Sequence, residues 1–135
     1  MTLELSEDLL TGVKGIDNQH KELFNSVNKL YEACLQQKGK VEIIKTMTYL
    51  EDYIITHFDA EESLMIDTGY SNYTEHRAAH IGFIDTYKQL AKRYKDDGAN
   101  SQFVLEINKF LKNWLLSHLN NDDKKLAKYL IKTLN

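Results

Sequence analysis

The chain has 135 residues, of which 42% are hydrophobic and 27% charged, and it carries a net charge of -3. That length suits one domain, residues 1–135, with a sizeable core, and the acidic balance gives no footprint for nucleic acid. No stretch nears the ~18 apolar residues of a membrane span. The acidic start, Met1 to Asp8, does not read as a signal peptide. One cysteine, Cys34, forbids an internal disulfide and suits a reducing compartment, so a cytoplasmic protein is expected.

Proline is absent, which permits long uninterrupted helices. Residues 1–15 hold Gly12 and Gly15 and no clean period, so they read as an arm lying on the fold. A first helix is predicted from an N-cap at Asp17 to about Gln37, stopped by Gly39. Its apolar seam is Ile16, His20, Leu23, Val27, Leu30 and Cys34; on that seam Cys34 reads as a small buried hydrophobe. A second helix is predicted from about Val41 to Ile66, broken by Asp67-Thr68-Gly69. Its seam runs Ile43, Met47, Leu50, Ile54, then His57, Glu61 and Leu64. Asn72, with Glu75 three residues on, resembles a capping box for a third helix. That seam reads Tyr73, His76, His80, Phe83, Tyr87, Leu90 and Tyr94.

Asp96-Asp97-Gly98-Ala99-Asn100 forms the next turn, and Asn100 or Ser101 should cap a fourth helix with seam Val104, Ile107, Leu111, Trp114 and His118. Asn120-Asn121-Asp122 are poor helix formers and predict a break or slip. A short helix from about Asp123 to Leu134 ends the chain, with Lys124, Lys125, Lys128 and Lys132 outward. Four helices of roughly 20 residues joined by short turns predict an all-α, antiparallel up-down-up-down four-helix bundle. No apolar surface stripe points to an oligomeric partner.

Each of the five histidines falls on a seam position. Scatter over a heptad with two seam positions in seven would do this roughly once in 500. His20 lies near the start of helix one, His57 and Glu61 near the end of two, His76 and His80 near the start of three, and His118 near the end of four. In an up-down bundle these places share one end. Buried imidazoles in such a cluster repel when charged and compete for acceptors when neutral. A metal uses their lone pairs directly. With the acids after His118, the set offers five nitrogens and two carboxylates, too many for one tetrahedral zinc. Two bridged six-coordinate metals would use it, and oxygen and imidazole donors without thiolate suit iron or manganese. His76-Arg77-Ala78-Ala79-His80 has a zinc-peptidase spacing, but Arg77 stands where the catalytic glutamate belongs. The paired Glu-x-x-His motifs of carboxylate-rich di-iron oxidases are missing.

Ile16-Asp17-Asn18-Gln19-His20, His57-Phe58-Asp59-Ala60-Glu61-Glu62, His76-Arg77-Ala78-Ala79-His80 and Trp114-Leu115-Leu116-Ser117-His118 with Asp123 resemble the hemerythrins, specifically the bacterial ones. The likeness spans about residues 9 to 130. It implies two iron ions with an oxo or hydroxo bridge that bind O2 reversibly by two-electron transfer, as carriage and not catalysis. It implies His76, His80 and His118 on one iron, His20 and His57 on the iron that meets O2, and Glu61 and Asp123 as bridges. On an ideal helix Asp123 lies about 140° from His118 and Asp122 about 40°; a slip at Asn120-Asn121 would bring Asp123 round, leaving Asp122 as a cap or surface acid. Leu3 and Leu5 stand where many members carry an arm tryptophan. Leu23, Phe24, Phe58, Trp114 and Leu119 could line an apolar O2 pocket. The alternatives to an O2 carrier are a di-iron enzyme that reduces O2, peroxide or nitric oxide, and an O2- or redox-sensing domain.

Overall fold

The computed structural model describes residues 3–98 and 100–134. Met1, Thr2, Ala99 and Asn135, which fall in the predicted arm, turn and tail, lie outside the described residues. A 3-10 turn at Glu7–Leu9 precedes α1 (Lys14–Leu35), α2 (Lys40–Thr68), α3 (Tyr73–Asp97) and α4 (Ser101–His118). A π-helical turn, Leu119–Asp123, runs directly into α5 (Lys124–Leu134). The expected all-α bundle is therefore present, with α1–α2, α2–α3, α3–α4 and the closing pair α1–α4 packed together.

The helix ends differ from expectation in instructive ways. The first helix begins at Lys14, three residues early, and Asp17 is not its N-cap. The Asp17 carboxylate instead reaches back to accept from the backbone N–H of Thr11 at 2.8 Å and of Gly12 at 3.2 Å. It thus ties the arm to the first turn, where the helix dipole favours an acid. The same helix stops at Leu35, ahead of Gly39. Gln37 adopts φ 53, and the N–H groups of Gln37 and Lys38 bond to the carbonyls of Cys34 and Ala33 at 3.2 and 3.1 Å. This is a Schellman turn built on a glutamine, and Gly39 becomes the N-cap of α2.

Gly69 ends α2 in the left-handed conformation, φ 69, with the Tyr70 N–H returning to Met65 O at 2.9 Å. Asn72 occupies the N-cap of α3, but the capping box with Glu75 does not form. Its ψ of 18° keeps the backbone out of the extended region in which a side chain meets the first-turn N–H groups. Asn100 does cap α4, its Oδ1 accepting from Phe103 N at 2.8 Å.

The seams of α1 and α3 follow the expected positions, save that Tyr73 is only half-buried. On α2, burial passes from Glu61 to Met65 and leaves Leu64 half-buried. On α4 the buried face is Phe103, Ile107, Leu111, Leu115 and His118, and Val104 and Trp114 flank it half-buried. The 3.6-residue period of a straight helix drifts past a strict heptad over this length. Among the lysines of α5, Lys125, Lys128 and Lys132 are exposed, while Lys124 is half-buried with its ammonium on Asn120 Oδ1 at 3.0 Å.

Two apolar clusters divide the interior. The larger joins α1 to α4 through residues such as Leu23, Leu30, Leu50, Ile54, Phe58, Phe83, Tyr87, Leu111 and Leu115, and it also takes in Leu3 and Cys34. Leu3 is fixed there by Asn28, whose side chain pairs with both its N–H (2.8 Å) and its C=O (2.9 Å). The smaller holds Ile16, Met65, Tyr70, Leu126 and Leu130. Along each helix the order is the same: Ile16, His20, Leu23 on α1 and Met65, Glu61, Phe58 on α2. A polar layer lies between the clusters.

A buried seven-residue metal centre

The layer holds His20, His57, Glu61, His76, His80, His118 and Asp123, each no more than 4% exposed. The structure thus brings together all seven residues singled out in the sequence. Four helices and the π-turn deliver them. His57 and Glu61, and likewise His76 and His80, are one turn apart and so share a face. Asp123 reaches the layer because the wide turn from Leu119 to Asp123 inserts a residue into the helix. The expected slip therefore occurs without any break in the helix.

The two carboxylates face both ways. Glu61 Oε1 lies 3.2 Å from His76 Nε2 and 3.1 Å from His80 Nε2. Its other oxygen, Oε2, lies 3.2 Å from His57 Nε2 and 3.6 Å from His20 Nε2. Asp123 repeats the division, with Oδ1 at 3.2 Å from His76 and 3.3 Å from His118, and Oδ2 at 2.9 Å from His20. The donors form two overlapping groups within which all ligand atoms lie inside 4.8 Å. One group is Glu61, His76, His80, His118 and Asp123, and the other is His20, His57, Glu61 and Asp123.

This donor set fits a metal pair. Although so close, His20 Nε2, His57 Nε2, Glu61 Oε2 and both oxygens of Asp123 have no hydrogen-bond partner. Such burial without partners costs several kcal/mol. His80 and His118 are more telling. Each donates its Nδ1–H to an acid, Glu62 at 2.9 Å and Asp122 at 2.8 Å, so in the neutral rings that a metal would bind both Nε2 atoms are acceptors. Those two nitrogens face each other at 3.1 Å. Two nitrogens bound at about 2.1 Å and at right angles on one ion stand about 3 Å apart.

The field that would hold cations also raises proton affinity. Burial alone would lower His20 and His76, but the close carboxylates of Asp123 and Glu61 overcome it and lift each to about 9. His118 likewise rises to about 9 against burial, through Asp122 first and then Asp123. Burial opposes ionisation of Glu61, yet the surrounding imidazoles of His20, His57, His76 and His80 hold it well below the usual carboxylate range.

A second tier of residues escaped the sequence reading. Glu62 backs His80, Asp122 backs His118, and Gln19 Oε1 accepts from His57 Nδ1 at 2.6 Å. Asp122 is thus neither a cap nor an unengaged surface acid. Its i+4 spacing from His118 was the available signal, since that spacing sets the two side chains on one face. The expected pocket residues Leu23, Phe24, Phe58 and Leu119 are buried in the large cluster, and Phe58 stacks on His80 at 3.8 Å. Trp114 is half-buried. Its indole stacks on His118 at 4.4 Å and also lines an open groove of about 590 Å³ with Leu90 and Phe110.

The family model for the hemerythrin HHE cation binding domain matches residues 11–130. A bacteriohemerythrin of Pseudomonas aeruginosa is 36% identical over 117 residues, covering 87% of this chain and 74% of its own. A bacteriohemerythrin of Methylococcus capsulatus is 31% identical over 114 residues, covering 84% and 85%. A crystal structure of wild-type hemerythrin superposes with a TM-score of 0.82 at 30% identity, covering 95% of both chains.

Proposed function

Because the chain belongs to the hemerythrin family, we propose that its polar layer holds two iron ions and binds O2 reversibly. His76, His80 and His118 serve one iron and His20 and His57 the other, with Glu61 and Asp123 shared. The observation that carries this reading is the two-sidedness of the carboxylates, each with one oxygen toward either histidine group. A single tetrahedral zinc would use four donors and strand the rest.

When bound, the iron pair supplies two electrons to O2 and recovers them on release. The chain's residues hold, orient and seclude that pair. The four-member group has two histidines where the other has three, so an iron held there would have fewer protein donors and would be the one to take O2. Gln19 fixes the tautomer of His57, keeping the Nε2 lone pair inward. Leu23, Phe58 and Leu119, neighbours of the site along their helices and buried in the large cluster, keep bulk water away. No substrate is consumed, so the protein acts as a carrier.

The test is optical. Protein loaded with ferrous iron without air should gain a visible charge-transfer band on admitting O2 and lose it when O2 is removed. Irreversible bleaching, or steady O2 consumption with a reductant, would replace carriage by redox turnover. Metal analysis should find two irons per chain; one zinc per chain would sink the reading.

A further inference from the structure

The acceptors behind the histidines are not alike on the two sides of the layer. In the five-member group, His80 Nδ1 meets the Glu62 carboxylate at 2.9 Å and His118 Nδ1 meets the Asp122 carboxylate at 2.8 Å, while His76 Nδ1 has no partner among the described residues. Glu62 is itself braced by Arg77, whose Nε stands 3.5 Å from the other carboxylate oxygen. In the four-member group no carboxylate stands behind either ring. His57 Nδ1 meets a neutral amide oxygen of Gln19 at 2.6 Å, and His20 Nδ1 is buried without a partner. Gln19 in turn is placed by its backbone carbonyl, which accepts from the Tyr53 hydroxyl at 3.2 Å.

A carboxylate behind an imidazole makes it a stronger donor and locks its ring; loss of such an outer partner costs about 10- to 100-fold in metal affinity. A neutral amide orients the ring without adding charge. Charge-assisted hydrogen bonds are roughly twice as strong as neutral ones. The asymmetry in ligand number is therefore compounded by an asymmetry in what holds the ligands.

We propose that Glu62, Asp122 and Gln19 are positioning residues that set an order of occupancy: the His76–His80–His118 half binds first and holds tightly, and the His20–His57 half fills last and empties first. This deepens the two-iron reading and rests on it. The chain accordingly has a stable one-metal state, with the remaining metal on the carboxylate-backed side. The identity of residue 19, glutamine rather than glutamate, keeps the second position exchangeable.

The test uses the full-length chain, loaded with ferrous iron under nitrogen and equilibrated with graded 2,2′-bipyridine. Released iron is read from the chelator colour, with no O2 present. Two equal steps are expected. Gln19→Glu should move the first step toward higher chelator by about tenfold or more and leave the second in place. Glu62→Gln and Asp122→Asn should each move the second step to about 10- to 100-fold lower effective chelator and leave the first. His57→Ala should keep one iron and show only the tight step. Far-UV circular dichroism guards against unfolding, which would shift both steps together; Gln19→Glu, which adds a charge rather than removing a bond, then decides. Two irons that leave together, unshifted by these changes, overturn the order of occupancy alone. A chain that never takes a second iron overturns both the order and the two-iron reading.

Discussion

The interior on one side of the polar layer differs in kind from that on the other. The large cluster joins four helices to one another directly. Its closure needs nothing from the layer, because leucine, isoleucine and aromatic side chains of α1 to α4 meet there. The small cluster has five buried members, drawn from the ends of α1 and α2, the α2–α3 turn and α5. It lies against the seven polar residues, and beside it the Tyr129 hydroxyl donates to the Thr68 carbonyl, joining α5 to the end of α2. Burial of a large apolar side chain contributes about 1.5–3 kcal/mol, so the large cluster is amply held and the small one is not. The comparison implies that the state of the layer governs the α5 end and leaves the opposite end nearly indifferent.

The strongest way to break that contrast is Glu61→Ala. Glu61 stands between four imidazoles. Removing one partner of a buried charged set costs about 3–5 kcal/mol, and both irons should be lost. Hydrogen exchange should show α5 amides opening first, with the middle of α2 still protected; loss of protection everywhere at once would refute the division. Next comes Leu50→Ala, fully buried in the large cluster two turns from the layer. It should cost about 2–5 kcal/mol in urea unfolding and leave two irons per folded chain.

A smaller effect separates iron-free from iron-loaded protein by pH. His20, His76 and His118 lie at about 9 against an ordinary value near 6.5. Their folded-state values are raised, so their contribution is full below about pH 6.5 and disappears as pH rises through about 9. The iron-free chain should therefore melt at lower temperature at pH 9 than at pH 6.5. The loaded chain should instead lose stability as acid displaces its metal. The smallest effect belongs to Asn100→Ala, which removes the cap of α4 far from the layer. It should cost about 1 kcal/mol with iron content unchanged, the signature of a change outside both regions.

The seams of α1 and α3 were legible because apolar spacing records which face is buried, and the placement of five histidines on seams followed from the same record. The wide turn was legible only as a weakness at Asn120-Asn121. What α-helical spacing could not show was how an extra residue would be absorbed. The stop of α1 and the capping box at Asn72 were misread because Gln37 entered the left-handed region where a glycine was expected, and because Asn72, although it does sit at the N-cap, has the wrong ψ. Trp114 was placed one residue off the buried face, which Leu115 occupies. Gln19 and Glu62 went unassigned, and Asp122 was taken for a cap or surface acid, for another reason. Each is a polar residue partly open to solvent; for Gln19 and Glu62 the direction of a histidine ring, a three-dimensional fact, gives the partner, whereas for Asp122 the i+4 spacing was there to be read.

The wide turn of Leu119–Asp123 has one more consequence. On an ordinary helix the residues four and five positions beyond a histidine lie about 40° and about 140° from it, so they do not both serve its imidazole. Here two consecutive aspartates do, Asp122 on Nδ1 of His118 and Asp123 near its Nε2. Because the surplus residue is taken up within one turn, α5 leaves it in phase and still lays Leu126 and Leu130 on the small cluster. The grip on this histidine is thus encoded in chain length as much as in residue type. A deletion at Asn121 would give a more regular helix and would shift Asp122 from four residues beyond His118 to three, changing its approach to Nδ1.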